Sequence, residues 1–179
     1  MSASVRHPSE VDMKSVVSAR ACALLVTLLC ASATNAGDLR DFFDPGNRIV
    51  GLWSTEALIG PCNAAPTTPI RNTLLFHAGG TVVENPRFAP NGIVSPAGLY
   101  QRGQALGTWN YDPFSRKFFV HLRFDNYVDG VWNGYSTVDR EITLTKRGMH
   151  GSGPIRSARY RVDGTLLSEV CGEAVSLPL

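Results

Sequence analysis

This chain has no run of basic residues and no interleaving of basic and aromatic side chains of the kind that follows a nucleic-acid backbone. Seventeen Lys and Arg stand against 15 Asp and Glu, a formal charge of +2, so nucleic acid is not an expected partner. It also has little that could hold a metal or a cofactor. His77, His121 and His150 do not share zinc-ligand spacing, and no thiolate set accompanies them. Gly151-Ser152-Gly153 lacks the Gly-x-Ser-x-Gly pattern of a nucleophile elbow and reads as turn chemistry. No catalytic motif, metal site or cofactor is therefore expected. Helical periodicity is missing after the first 36 residues.

The amino terminus explains the one apolar stretch outside that pattern. Lys14 and Arg20 precede Ala21 to Leu29, and Ala31-Ser32-Ala33 or Thr34-Asn35-Ala36 offers a small-residue cleavage site. Residues 1–36 read as a signal peptide, with Met13 as an alternative start. The run falls short of the ~20 residues that span a bilayer, so no stable membrane insertion is expected once the signal is removed. The expected location is periplasmic or secreted. Cys22 and Cys30 leave with the signal, and Cys62 and Cys171 remain. An oxidising compartment would join them, closing a loop worth on the order of 4 to 5 kcal/mol in the chain-entropy model.

What is present is alternation. Hydrophobic residues make up 44% of the chain, with β-branched and aromatic types gathered in short segments between Gly, Pro, Asn and Asp. Phe118, Val120, Leu122 and Phe124 fall on one face of a strand, and Lys117, Phe119, His121 and Arg123 on the other. Similar runs cover 48–55, 71–77, 81–85, 106–111, 135–144, 157–162 and 165–175. Ala78-Gly79-Gly80 and Asp163-Gly164 are hairpin signals, and Asp129-Gly130 competes with Asn133-Gly134 for another turn. A three-residue loop at 78–80 would put Leu74, Phe76, Val82 and Glu84 on one face; a two-residue loop would regroup Leu75, His77, Val82 and Glu84. Gly60-Pro61 reads as the break after the first strand, 37–47 as a polar segment plugging one end, and 86–104 as a long structureless loop. Eight short strands joined mostly by hairpins predict one domain over 37–179, an all-β, eight-stranded antiparallel up-and-down barrel, with a sandwich as the competitor.

Gly51-Leu52-Trp53 and its echo Gly107-Thr108-Trp109 resemble the calycin superfamily, the lipocalin and avidin kind of secreted barrel. The chain also looks like a group of exported bacterial barrel proteins without assigned activity, through Cys62, Pro69-Ile70-Arg71, Phe76 to Thr81, Glu84, Gly107-Thr108-Trp109 and Cys171-Gly172. Lipocalins are expected to carry an Arg late in the chain over the first-strand Trp. No basic residue follows Arg161, so the likeness is to the barrel.

With the apolar faces inward, Trp53, Phe76, Trp109, Tyr111, Phe118, Val120, Leu122, Phe124, Val138, Ile142 and Tyr160 would line the interior. These side chains would either fill the barrel or wall a pocket for a small hydrophobic or aromatic molecule. Arg140 and Glu84 break the apolar pattern at inward positions and would pair, or form the polar end of a cavity. Three functions follow as alternatives: a binding barrel using Trp53, Phe76, Glu84, Trp109, Tyr111, Phe118, Val120, Leu122, Phe124, Arg140 and Tyr160; a cyclase or isomerase using Glu84 with a tyrosine such as Tyr111; and a filled barrel acting through its surface. Oligomeric state is not legible.

Overall fold

The computed structural model describes residues 45–89, 91–145 and 147–179. The expected signal peptide, Cys22, Cys30 and the aromatic pair Phe42 and Phe43 lie outside these residues. A 3-10 turn at Pro45–Ile49 is followed by ten strands: β1 (Gly51–Pro61), β2 (Thr68–His77), β3 (Thr81–Pro86), β4 (Ile93–Ser95), β5 (Gly98–Arg102), β6 (Ala105–Asp112), β7 (Lys117–Val128), β8 (Val131–Leu144), β9 (Gly151–Tyr160) and β10 (Leu166–Pro178). Eight of them, β1, β2, β3, β6, β7, β8, β9 and β10, pair antiparallel in that order, and β10 returns to β1. The sheet is closed, which removes the exposed edge that an open meander would leave.

Register follows the turns. Phe76 faces Val82 and His77 faces Thr81, so the loop at 78–80 has three residues and Leu74, Phe76, Val82 and Glu84 all turn inward. Between β7 and β8 the Asp129-Gly130 pair makes the tight turn, with Asp129 held at φ 51°, and Val128 faces Val131. Asn133-Gly134 is instead inside β8, beside a register shift between Asp125 and Tyr127.

Two expectations are corrected. β1 runs on through Gly60-Pro61, because Pro61 lies at the end of the strand, where a missing N–H costs no ladder bond. The segment at 86–104 contains the β4–β5 hairpin, whose β5 pairs with the end of β7 beyond the reach of β6. Its short, Gly- and Pro-flanked strands carry too few alternating residues to be read from periodicity.

The two Gly-x-Trp motifs have different physical reasons. Gly51 has φ +132°, a conformation that an L side chain resists, with open space around it. Gly107 has no such angle, but a Cβ there would collide with the carbonyl of His121 on β7. One glycine shapes the chain; the other lets two strands approach.

One end of the barrel is apolar. Ile49, from the 3-10 turn, joins Trp53, Phe76, Phe118 and Ile142 in the buried cluster, with Trp109 and Tyr111 packed against it. Trp53 Nε1 donates to the Ile49 carbonyl at 2.7 Å, tying the turn to β1. Phe76 and Phe118 meet the Trp109 ring at 6.3 and 6.0 Å, and Tyr111 meets Phe118 at 4.8 Å. Burying each phenyl ring contributes about 1.5–3 kcal/mol.

The Cys62–Cys171 disulfide is formed, with 4.6 Å between Cα atoms across a sequence separation of 109. It fastens the loop after β1 to β10, beside the seam where the barrel closes.

Candidate functional site

Away from the aromatic end, the inward positions become polar. Glu84 on β3 faces Leu74 and Ala105 and is 3% exposed. Its two oxygens are engaged: Asn72 Nδ2 donates to Oε1 at 2.6 Å, and Arg102 Nη2 to Oε2 at 2.8 Å. Arg102 ends β5 and lays its guanidinium over the Phe124 ring, 3.6 Å from the centroid. The hairpin thus sends its last residue into the barrel.

Arg140 on β8 is 4% exposed and does not bond to Glu84. Its Nη1 donates to Thr55 Oγ1 at 3.3 Å and its Nη2 to Ser176 Oγ at 2.9 Å, while those two hydroxyls lie 2.6 Å apart. Thr55 and Ser176 face each other across the β1–β10 seam, so Arg140 spans the interior to reach the closing strands. Burial pulls its pKa down to about 10, and the Glu84 charge opposes that shift. It stays cationic at neutral pH.

The expected Glu84–Arg140 pair is therefore corrected: both are inside, but Glu84 takes Arg102 and Arg140 takes hydroxyls. Arg102 escaped sequence reading because it lies in the stretch read as loop. Asn126, wholly buried, was also missed, although it continues the alternation of Phe118 to Phe124 by one more step. Its amide accepts from Tyr100 Oη at 2.6 Å and donates to Ser136 Oγ at 3.0 Å. Tyr100, also from β5, has its pKa raised by burial, against the lowering effect of Arg159 and Arg102. The hairpin so contributes two of this end's polar groups.

The remaining predicted site residues divide. Trp53, Phe76, Phe118, Val120, Leu122 and Phe124 are buried inside, and Trp109 and Tyr111 are half-buried against them. Tyr160 is not inside. It faces Tyr135 in register and stacks on it at 4.9 Å, and Tyr135 carries Arg123 of the outward set of β7. The period of two holds along β9, but Ile155, Ser157 and Arg159 occupy its inward places, which puts Tyr160 outside. Tyr111 cannot assist Glu84 as an acid-base partner. It stands six residues along β6 from Ala105, which faces Glu84, and at ~3.3 Å per residue that is roughly 20 Å away.

Two recesses accompany this arrangement. A small one of about 180 Å³ lies at the polar mouth, lined by Asn85, Pro86, Phe88, Gln101, Arg102 and Gln104. A larger groove, about 410 Å³, lies on the outer wall, where Thr108, His121, Asp139, Arg156 and Cys171 form one cross-strand row. Its charges are matched: His121 Nδ1 meets Asp139 at 2.7 Å, Lys117 meets Glu141 at 2.7 Å, and Arg156 meets Glu169 at 2.7 Å. Among the described residues no three His, Cys, Asp or Glu side chains are gathered as a metal would need, and no helix is long and apolar enough to cross a membrane.

A closed eight-stranded antiparallel barrel of this kind is consistent with a calycin-like barrel. No family model, curated protein or solved structure matches the chain.

Proposed function

We propose that this protein is an exported binding barrel that holds a small apolar molecule at its polar end, behind the β4–β5 hairpin. One observation carries the reading: a hairpin inserted into the meander pairs with the end of β7 and sends Arg102 and Tyr100 to buried partners on β3 and β7. A barrel that merely filled itself would need no such insertion. Phe124, Leu122 and Val138 give that end apolar walls, while the few polar groups there suit the orienting role that such groups have in small-molecule sites. The Cys62–Cys171 disulfide supports export, since such bonds persist in oxidising compartments.

Native mass spectrometry of the protein purified from its own compartment tests this. A retained small molecule, released on unfolding, is expected. Bare polypeptide mass, together with no binding of either N-phenyl-1-naphthylamine or its sulfonate 8-anilinonaphthalene-1-sulfonate, would overturn it. The surface reading would then take its place, and the outer-wall groove of about 410 Å³ favours that alternative.

A further inference from the structure

The interior holds more positive charge than it neutralises. Among the buried described residues Glu84 is the one carboxylate, and Arg102 is its ion-pair partner. That leaves the buried Arg140 guanidinium hydrogen-bonded to hydroxyls alone, with the one Glu84 charge shared between it and Arg102. A hydroxyl dipole does not cancel a charge, and an uncompensated ion in a low-dielectric interior is costly. A third cation, the half-buried Arg159, faces Ser136 in register; its guanidinium lies 5.2 Å from the Tyr100 ring and its Nη2 donates to Asn133 Oδ1 at 3.1 Å. Hydrogen bonding tells the same story. Nε of Arg102, of Arg140 and of Arg159 is buried with no partner among the described residues, so three arginine donors lack acceptors, two on the strands of the polar end and one, Arg140, further along the interior. Asn72 Oδ1 is the single acceptor left over beside them.

From this surplus we infer that the molecule held behind the hairpin is an anion, a small apolar body carrying one carboxylate or sulfonate, whose charge is taken by Arg140 with Arg102 beside it. The inference rests on the binding reading above and specifies its ligand class. An ionised oxygen acceptor supplies both missing quantities, negative charge and lone pairs. Hydrogen bonds of that type are also about twice as strong as neutral ones. A neutral apolar molecule would satisfy the walls and leave the arginines as they are.

Two dyes with the same aryl body separate charge from apolarity: 8-anilinonaphthalene-1-sulfonate and its uncharged parent N-phenyl-1-naphthylamine. Their affinities are compared by fluorescence titration at fixed ionic strength on the full, disulfide-bonded chain. The sulfonate is expected to bind about tenfold or more tighter, a ratio within reach of one desolvated charge-assisted bond. Arg140→Met should bring the ratio to within about twofold, and Arg140→Lys, which keeps the charge, should restore most of it. Arg123→Met, on the outer wall, should leave it unchanged. Near-UV circular dichroism confirms that each variant is folded, and the lysine variant keeps the test decisive if the methionine one is not. Equal affinities in the parent protein, or a preference that survives Arg140→Met, would overturn the anion and leave the container standing. Absence of binding by either dye would overturn the container and the anion together.

Discussion

The two ends of this barrel are built from the same alternation and are opposite in chemistry. At one, Ile49, Trp53, Phe76, Phe118 and Ile142 exclude water, and the 3-10 turn there contributes the isoleucine, a carbonyl for Trp53 and a bond from Arg48 to the Thr145 carbonyl. At the other, Glu84, Arg102, Asn72, Asn126 and Arg140 occupy the same inward positions, and the cap is a hairpin that brings charge and hydroxyl with it. Apolar burial stabilises without direction, while buried polar groups need partners of defined geometry. The first end therefore explains why the chain folds, and the second is where selectivity for a ligand can reside.

Substitutions at matched depth sharpen that contrast, and the largest losses should come from one at each end. Phe118→Ala should cost about 3–5 kcal/mol by opening a cavity against Trp109 and Tyr111. Glu84→Gln should cost a similar ~3–5 kcal/mol by a different route, leaving Arg102 buried without its carboxylate. Denaturant midpoints measure both. The two separate in dye binding: Phe118→Ala should leave the preference for the sulfonate intact, whereas Glu84→Gln should strengthen it, since one competing carboxylate is gone. Identical effects on that preference would show that the ends are not functionally distinct.

The disulfide comes next. Cys62 and Cys171 stand 109 positions apart in sequence, and replacing both with Ser should lower stability by about 2–4 kcal/mol, with strand pairing of β1 and β10 still able to close the barrel. Reductant added to the parent protein should shift its denaturation midpoint by the same amount. No shift would mean that the pair adds nothing the seam does not already supply.

Arg140→Met should behave unlike either. Burial has lowered the folded pKa to about 10, below that of a free guanidinium. The unfolded chain thus holds this proton more tightly, and the folded state carries the full cost of the charge at every pH below about 10. That cost is relieved only as pH rises above about 10 towards the free guanidinium's own range. A shift of this size corresponds to roughly 3 kcal/mol. Methionine removes it and leaves Thr55 and Ser176 bonded to each other. The variant should accordingly be as stable as the parent or more so, by up to roughly 3 kcal/mol, with a difference that stays flat between pH 6 and 9. A loss of several kcal/mol would assign Arg140 a structural role instead.

How much of this was legible in the sequence follows from which interactions are local. The eight barrel strands, their inward faces and the hairpins at 78–80 and 129–130 depend on period and turn residues, and these are written in consecutive positions. Glu84 and Arg140 stood out because each breaks a pattern its neighbours establish. Their partners did not. Arg102 lies on a five-residue strand among Gly and Pro, and which side chain spans the interior to Thr55 and Ser176 is set by barrel closure, 85 and 36 residues away in sequence. Tyr160 went to the wrong wall because no periodicity fixes which face of a strand turns inward when both carry apolar and polar groups.

The smallest effect is expected on the outer wall, and it tests whether depth or ion pairing sets the difference between regions. His121 and Asp139 are joined at 2.7 Å, yet their side chains are 59% and 62% exposed. Water and salt screen such a pair, and holding two side chains in place offsets much of what remains. His121→Gln should therefore change stability by less than about 0.5 kcal/mol, and raising the salt should change it no further. Glu84 and Arg102 have the same pairing at nearly the same distance, 2.8 Å, with side chains only 4% and 10% exposed. If the two substitutions proved equal in cost, burial would not be what makes the polar end exacting, and the contrast between the ends would lose its physical basis.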